Sequence, residues 1–232
     1  ALARLRAEFA AARRPLVLVA GLERAADRAA AARLAAGAGA PWIADAGSGL
    51  RLGPHDERVI AHGEFLAPRL AGADVVLQLG RRPVSRRVAA ALAGARRWLV
   101  DDHPGRHDPE RQGGARLAVS VAEFSAALGD RPLAIEAMAA GWPGELRAAD
   151  DGLAARLADL VDDAPELSEA WLARELARGL PAGVGLFLGN SLPVRHVDAL
   201  APRRPRAGAV TATSRGTSGI EGATAQATGF AL

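Results

Sequence analysis

Two short strings near the carboxyl end of the chain carry the residue types from which an anion site is made. Gly189-Asn190-Ser191 stands between an apolar run, residues 185–188, and a helical pattern, residues 192–200. The glycine lets the backbone turn. Asn190 and Ser191 then place polar groups at a helix start, where unpaired N–H groups and the helix dipole attract anions. Arg195 follows Ser191 by one helical turn on the same face. Serine and arginine around a helix start suit a carboxylate or a phosphate. An N-cap serine followed by a surface arginine is the plainer account of the same spacing. The second string, Ser214-Arg215-Gly216-Thr217-Ser218-Gly219-Ile220-Glu221-Gly222, follows another apolar run. Its glycines let a ligand approach the backbone closely. Arg215 sits at the end of that run, and Ile220 is a lone branched residue among small and polar ones. An ordinary strand–loop–helix turn shares this composition.

The other titratable residues form weaker patterns. Asp101, Asp102, His103, His107 and Asp108 are ligand types for a metal. Pro104 and Gly105, however, interrupt any helix that would put both histidines on one face, so a polar loop after a strand is expected. His55, His62 and His196 have no partner identifiable by spacing, and Trp42, Trp98, Trp142 and Trp171 read as packing residues. Gly37 and Gly39 follow a helical pattern rather than a strand, so there is no dinucleotide fingerprint.

Composition removes whole classes of chemistry. The 232 residues include no cysteine, no tyrosine and no lysine, so all 29 basic residues are arginine. That excludes a Schiff-base or P-loop lysine, a thiolate zinc site, a disulfide, a thiol nucleophile and a tyrosine acid–base group. The missing cysteines fit a cytoplasmic setting. The pI near 10.9 reflects a net charge of only +3 in a chain without groups that titrate in the alkaline range. With arginines dispersed among acids and 4% aromatic residues, no nucleic-acid surface is expected. No apolar run approaches the ~20 residues that span a bilayer, and no secretory leader is visible.

The elements that must position these residues alternate. Strand-like runs at 16–20, 41–46, 74–79, 98–100 and 117–121 are interleaved with helical stretches at 25–36 and 84–92. Nearly continuous apolar strands in a β-α-β rhythm predict an α/β architecture, a Rossmann-like parallel sheet covered on both faces. Arg131-Pro132, Gly141-Trp142-Pro143-Gly144 and Asp162-Asp163-Ala164-Pro165 break the rhythm, with a short helix at 150–160 among them. Ser168 is expected to cap a helix to about Arg178. A strand at 185–188, a helix at 192–200, a strand at 209–213 and a helix opening near Gly219 follow. About 65 residues is short for an α/β unit with both faces covered. The expected organisation is a domain at 1–140, a connection at 141–165 and an incomplete second α/β unit at 166–232. The chain starts at Ala1 without methionine and stops at Leu232 within a helical pattern, which reads as a piece of a longer protein.

LFLGNSLPVRHVDAL (186–200) and SRGTSGIEG (214–222) together resemble the MenD family, thiamine-diphosphate-dependent 2-succinyl-5-enolpyruvyl-6-hydroxy-3-cyclohexene-1-carboxylate synthases of menaquinone biosynthesis. VLQLG (76–80) with Arg86-Arg87, and WLVDDHPGRHDP (98–109), are similar to that family's middle domain. The resemblance implies that residues 1–140 are this middle domain and residues 166–232 the start of the diphosphate-binding domain. It implies a transferase that decarboxylates 2-oxoglutarate on thiamine diphosphate and adds the resulting carbanion to isochorismate. By the same resemblance, Ser191, Arg195, Arg215, Arg86 and Arg87 would bind substrate carboxylates. Asn190, Ser191, Ser218, Gly219 and Ile220 would border the cofactor, with Ile220 propping it in its bent form.

The departures from the family pattern are specific. The Gly-Asp…Asn-Asn motif that holds Mg²⁺ or Mn²⁺ with the diphosphate does not occur in this chain, nor does the amino-terminal domain that supplies the activating glutamate. The implied metal ligands therefore lie outside it, the implied active site forms between subunits of a homo-oligomer, and the 232 residues alone are expected to be inactive. Two alternatives stand beside this reading. One is a non-catalytic α/β module that binds an anion or a partner through Arg195 and Arg215. The other is a thiamine-diphosphate-dependent 2-oxoacid decarboxylase with other substrates.

Overall fold

A computed structural model of the chain describes residues 1–105, 114–129, 133–204, 206, 208–214 and 221–231. The first half alternates helix and strand: α1 (Leu2–Ala10), β1 (Pro15–Val19), α2 (Ala25–Gly37), β2 (Trp42–Ala44), α3 (Gly63–Leu70), β3 (Val75–Leu79), α4 (Arg86–Ala91), β4 (Arg96–Val100), β5 (Ala115–Leu117) and α5 (Val121–Leu128). The five strands form one parallel sheet in the order β2-β1-β3-β4-β5.

The burial of β1 and β3 explains their uninterrupted apolar sequences. Every residue of both strands is buried, because helices cover both faces of the sheet. Successive side chains alternate between those faces. Trp42, Val17, Leu77 and Trp98 lie in register across four strands. They share one core with Leu5 and Phe9 of α1, Ala31 and Ala35 of α2, and Phe124 of α5. Leu16, Leu18, Ile43 and Val76 point the other way, into a second core with Leu66 and Leu70 of α3 and Val88 of α4.

α6 (Trp142–Leu157) completes that second layer, placing Trp142 and Leu146 against it. The Trp-Pro-Gly sequence, expected as a break, is instead its first turn, where a proline costs no hydrogen bond. The Trp142 indole N–H donates to the Pro15 carbonyl at 2.9 Å and fixes this start on the sheet. A second difference lies at 115–121. The strand occupies Ala115–Leu117, and Val121 opens α5. Ser120 and Glu123 form a capping box there, an S-x-x-E signature that outweighs the β-branched residues around it. Helices α1 and α3 stand where the sequence pattern predicts none.

The second unit is smaller. α7 (Glu169–Gly179) is capped by Ser168, whose hydroxyl accepts the Trp171 N–H at 3.1 Å. β6 (Gly185–Leu188), α8 (Leu192–Leu200) and β7 (Val210–Thr213) follow, with β6 and β7 paired in parallel, and α9 (Ala223–Ala231) closes the described chain. Its core is not its own. Ala46, Leu52 and Val84 of the first unit pack with Ala173, Ala177, Leu188, Val194, Val197, Ala201 and Ala209. Among the described residues no helix is long and apolar enough to cross a membrane.

Leu77 is fully buried at the centre of the sheet. Leu77→Ala is expected to destabilise the chain by about 2–5 kcal/mol, transfer loss plus residual cavity. Urea denaturation measures this, and a loss below about 1 kcal/mol would contradict the packing described.

Candidate functional site

The turn from β6 to α8 departs from ordinary helix capping. Ser191 occupies the N-cap position with φ +72° and ψ −128°. Among the described residues it is the one non-glycine with positive φ. A side chain in that region costs about 1–3 kcal/mol unless its surroundings impose it. The Ser191 hydroxyl makes no capping hydrogen bond. The plain N-cap account therefore does not describe this serine: it is exposed, strained and not engaged by the helix it precedes.

Asn190 ties the two sequence strings together, its side-chain N–H reaching the Ser214 carbonyl at 3.4 Å across the ends of β6 and β7. Arg195, exposed, stands one turn beyond Ser191. Arg215, Ser218, Gly219 and Ile220 lie outside the described residues. Arg86 and Arg87 are exposed in the first turn of α4. Ser85 caps that helix through the Val88 N–H at 2.9 Å and also bonds Glu64, and the Arg87 Nε lies 3.9 Å from the same carboxylate. The two arginines stand beside a small cleft lined by Leu18, Ile43, Asp45, Glu64, Ser85 and Asp198. Asp198 belongs to α8, so this cleft joins the start of α4 to the helix that carries Ser191 and Arg195.

Behind these exposed residues is a polar layer, with Asp45 and Arg51 buried and Asp198 half-buried, that has no local signature in the sequence. Asp198 Oδ1 accepts the Ala46 N–H at 2.7 Å. Arg51, 2% exposed, donates from Nε to the Asp198 carbonyl at 3.0 Å, and from Nη2 to the carbonyls of Ala61 at 2.8 Å and Ala201 at 2.6 Å. Asp45 Oδ2 accepts the Val84 N–H at 2.9 Å. Burial, and after it the neighbouring Asp198 carboxylate, push the Asp45 carboxyl well above the ordinary range.

The histidines also have partners. His62 Nδ1 lies 3.0 Å from Asp150 Oδ1, and that carboxylate accepts the N–H groups of Ala61 and His62. Burial alone would raise Asp150; these hydrogen bonds outweigh it and hold it below its usual range. His55 Nε2 lies 3.0 Å from the Leu50 carbonyl, and Nδ1 accepts the Arg204 N–H at 3.1 Å. His196 Nδ1 is 3.7 Å from Glu169. In the loop after β4, His103 Nδ1 accepts the Gly105 N–H at 2.9 Å, while His107 and Asp108 lie outside the described residues. Among the described residues no three His, Asp or Glu side chains are placed to hold a metal.

Comparison with known proteins matches residues 6–188 to a family described as the middle domain of thiamine pyrophosphate. Along nearly its full length the chain is similar to 2-succinyl-5-enolpyruvyl-6-hydroxy-3-cyclohexene-1-carboxylate synthases. It is 37% identical to that of Rubrobacter xylanophilus, over 98% of this chain and 40% of the relative. The relative from Chlorobium luteolum is 32% identical, over 99% and 40%. That from Halorhodospira halophila is 35% identical, over 94% and 38%. The chain thus spans about two fifths of the length of the curated relatives it matches.

Burial, and next the Arg51 charge, lower His55 to about 4. The fold holds it neutral, while the unfolded chain takes up its proton below about pH 6.5. Stability is therefore lost as pH falls from about 6.5 to about 4, by up to about 3 kcal/mol from this group. Asp45 acts in the opposite sense over this whole range, so the informative quantity is the difference between wild type and His55→Gln, in which Asp45 is common. Melting curves are expected to converge at acid pH, and parallel curves would refute the His55 contribution.

Proposed function

This chain belongs to the 2-succinyl-5-enolpyruvyl-6-hydroxy-3-cyclohexene-1-carboxylate synthase family, and we propose that it forms the substrate-facing part of such a synthase. In this reading the parent protein is a homo-oligomeric, cytoplasmic, thiamine-diphosphate-dependent transferase that joins the decarboxylated remnant of 2-oxoglutarate to isochorismate. The observation that carries the proposal is Ser191: its hydroxyl is kept off the helix cap by a strained turn and stands one turn from Arg195 at the carboxyl edge of a parallel strand pair, where α/β folds take ligands.

The chemistry of the donor set fits anionic substrates. Arg195 would pair with a substrate carboxylate, for which a guanidinium fork is suited. Ser191 would donate its hydroxyl to the same group, and Arg215 would contribute from the second string. Arg86 and Arg87 would attract the second substrate from the start of α4, with Glu64 restraining Arg87. Asn190 and Ser191, together with Ser218, Gly219 and Ile220, would border the cofactor, which when bound supplies the electron sink for decarboxylation. Mg²⁺ or Mn²⁺ would be held by residues other than these: the chain has a single asparagine, Asn190, and so lacks the paired asparagines of the metal motif. The protein's own part is to orient both acids and exclude alternatives.

Two outcomes test this. In the full-length synthase, Arg195→Ala is expected to raise KM for the 2-oxo acid about 10- to 100-fold, the worth of a charged hydrogen bond, without lowering Tm, because the side chain is exposed. Unchanged steady-state kinetics would refute the assignment. The 232-residue chain supplied with thiamine diphosphate and Mg²⁺ is expected to show no turnover, and measurable product would overturn the division of the site between this chain and the rest of the protein.

A further inference from the structure

Arg195 and Asp198 stand at helical spacing and form a stripe along α8, with Ser191 in the turn just before it. The stripe ends on the first sheet. Asp198 takes the Ala46 N–H, and Arg51 holds the carbonyls of Asp198 and Ala201 at the carboxyl end of the same helix. Asp45 lines the same cleft as Asp198 and is fixed to Val84, just before α4. An α-helix of nine residues is a stiff rod about 13 Å long, so a tilt of about 5° at these anchors moves its far end by about 1 Å. A misplacement of that size can cost about 100-fold in a reaction that depends on orientation.

We propose that buried Asp45 and Arg51 and half-buried Asp198 form a clamp that sets where the amino end of α8 stands against the first sheet, making Asp45 and Arg51 positioning residues for the anion held by Ser191 and Arg195. The kinetic part of this proposal rests on the synthase reading; the clamp itself does not.

The charges around the clamp make it sensitive to pH. Asp198 of α8, Asp150 of α6 and Asp45 all act on the buried guanidinium of Arg51, while Arg174 of α7, also buried, donates to the Leu200 carbonyl at 2.9 Å. Asp150 has its own donors in His62 and two backbone N–H groups. Glu64 of α3, also in the cleft, is engaged by the Ser85 hydroxyl of the α4 cap and lies 3.9 Å from Arg87. On α8 itself Arg195 is exposed, and His196 faces Glu169 of α7. With Asp45 protonated, the carboxylates of Asp198 and Asp150 face the guanidinium. Loss of that proton sets two carboxylates against each other across the joint, so the clamp weakens as pH rises. The sign follows from a raised acid pKa: the fold retains a proton that the unfolded chain has already lost, and stability falls with rising pH.

Hydrogen exchange of the Ala46 and α8 amides in the 232-residue chain, normalised to intrinsic rates, tests the clamp from about pH 6 to about pH 9. Wild-type protection is expected to fall about five- to tenfold across this range. Asp45→Asn, which keeps an acceptor for the Val84 N–H and cannot ionise, is expected to stay flat. Arg51→Met is expected to lose protection at the carboxyl end of α8 at every pH. A flat wild-type profile, or an Asp45→Asn profile that follows the wild type, would overturn the clamp. In the full-length synthase, KM for the 2-oxo acid is expected to rise with pH in wild type but not in Asp45→Asn, with kcat little changed. A pH-dependent exchange profile beside a pH-independent KM would refute the positioning role. Absence of synthase activity from the full-length protein would instead refute the functional reading, and the exchange profiles would still decide the clamp.

Discussion

Arg51 reaches from the turn after β2 to three main-chain carbonyls, two of them at the end of α8. A buried guanidinium is expensive unless its donors are met and its charge balanced. Here carbonyls receive Nε and Nη2, Nη1 has no partner, and the carboxylates of Asp198 and Asp150 supply the charge. The arrangement makes the position of α8 depend on the first sheet. The first sheet places the turn at 45–52, the turn places Arg51 and the Ala46 N–H, and these place α8. Only then do Ser191 and Arg195 have a defined position.

The first sheet is suited to this supporting role because its own ligand-binding edge is closed. In an order of β2-β1-β3, the crevice between β1 and β3 is where doubly wound folds open to a ligand. Here the backbone fills it. Ala20 N–H bonds Leu79, Arg81 N–H bonds Gly21, and Leu22 N–H bonds Gly47. Gly80, at φ +87°, sits so close that a Cβ would come within 2.7 Å of the Gly21 carbonyl. The crevice that usually receives a cofactor is filled by backbone, and the exposed polar groups stand beside it, at the start of α4 and on the second, smaller sheet.

Much of this was legible in the residues. The runs at 185–188 and 192–200 correspond to β6 and α8 because strand, glycine turn and amphipathic helix each leave a local mark. The buried strands β1 and β3 showed as apolar runs for the same reason. The start of α6 is not legible locally because proline and glycine signal a break and a first helical turn alike. The strand at 115–117 was displaced toward Val119 and Val121 because β-branching is a weaker constraint than the capping box at Ser120. The clamp had no mark at all. Arg51 is one of 29 basic residues, and its partners are carbonyls up to 150 positions away. Arg86 and Arg87 were singled out, while the Glu64 and Ser85 contacts that govern their surroundings depend on tertiary proximity.

The shared core has a consequence for descent. Ala46, Leu52 and Val84 complete the interior of the smaller sheet from the far side of the chain. A recombination junction drawn through the segment between α6 and α7 would separate that interior from three of its walls and α8 from Arg51. The inheritable module is therefore the small sheet together with its neighbour's loops. Substitutions on the two sides of this seam must be accepted in pairs, so the lineage is constrained to change here by coordinated steps rather than by exchange of whole domains.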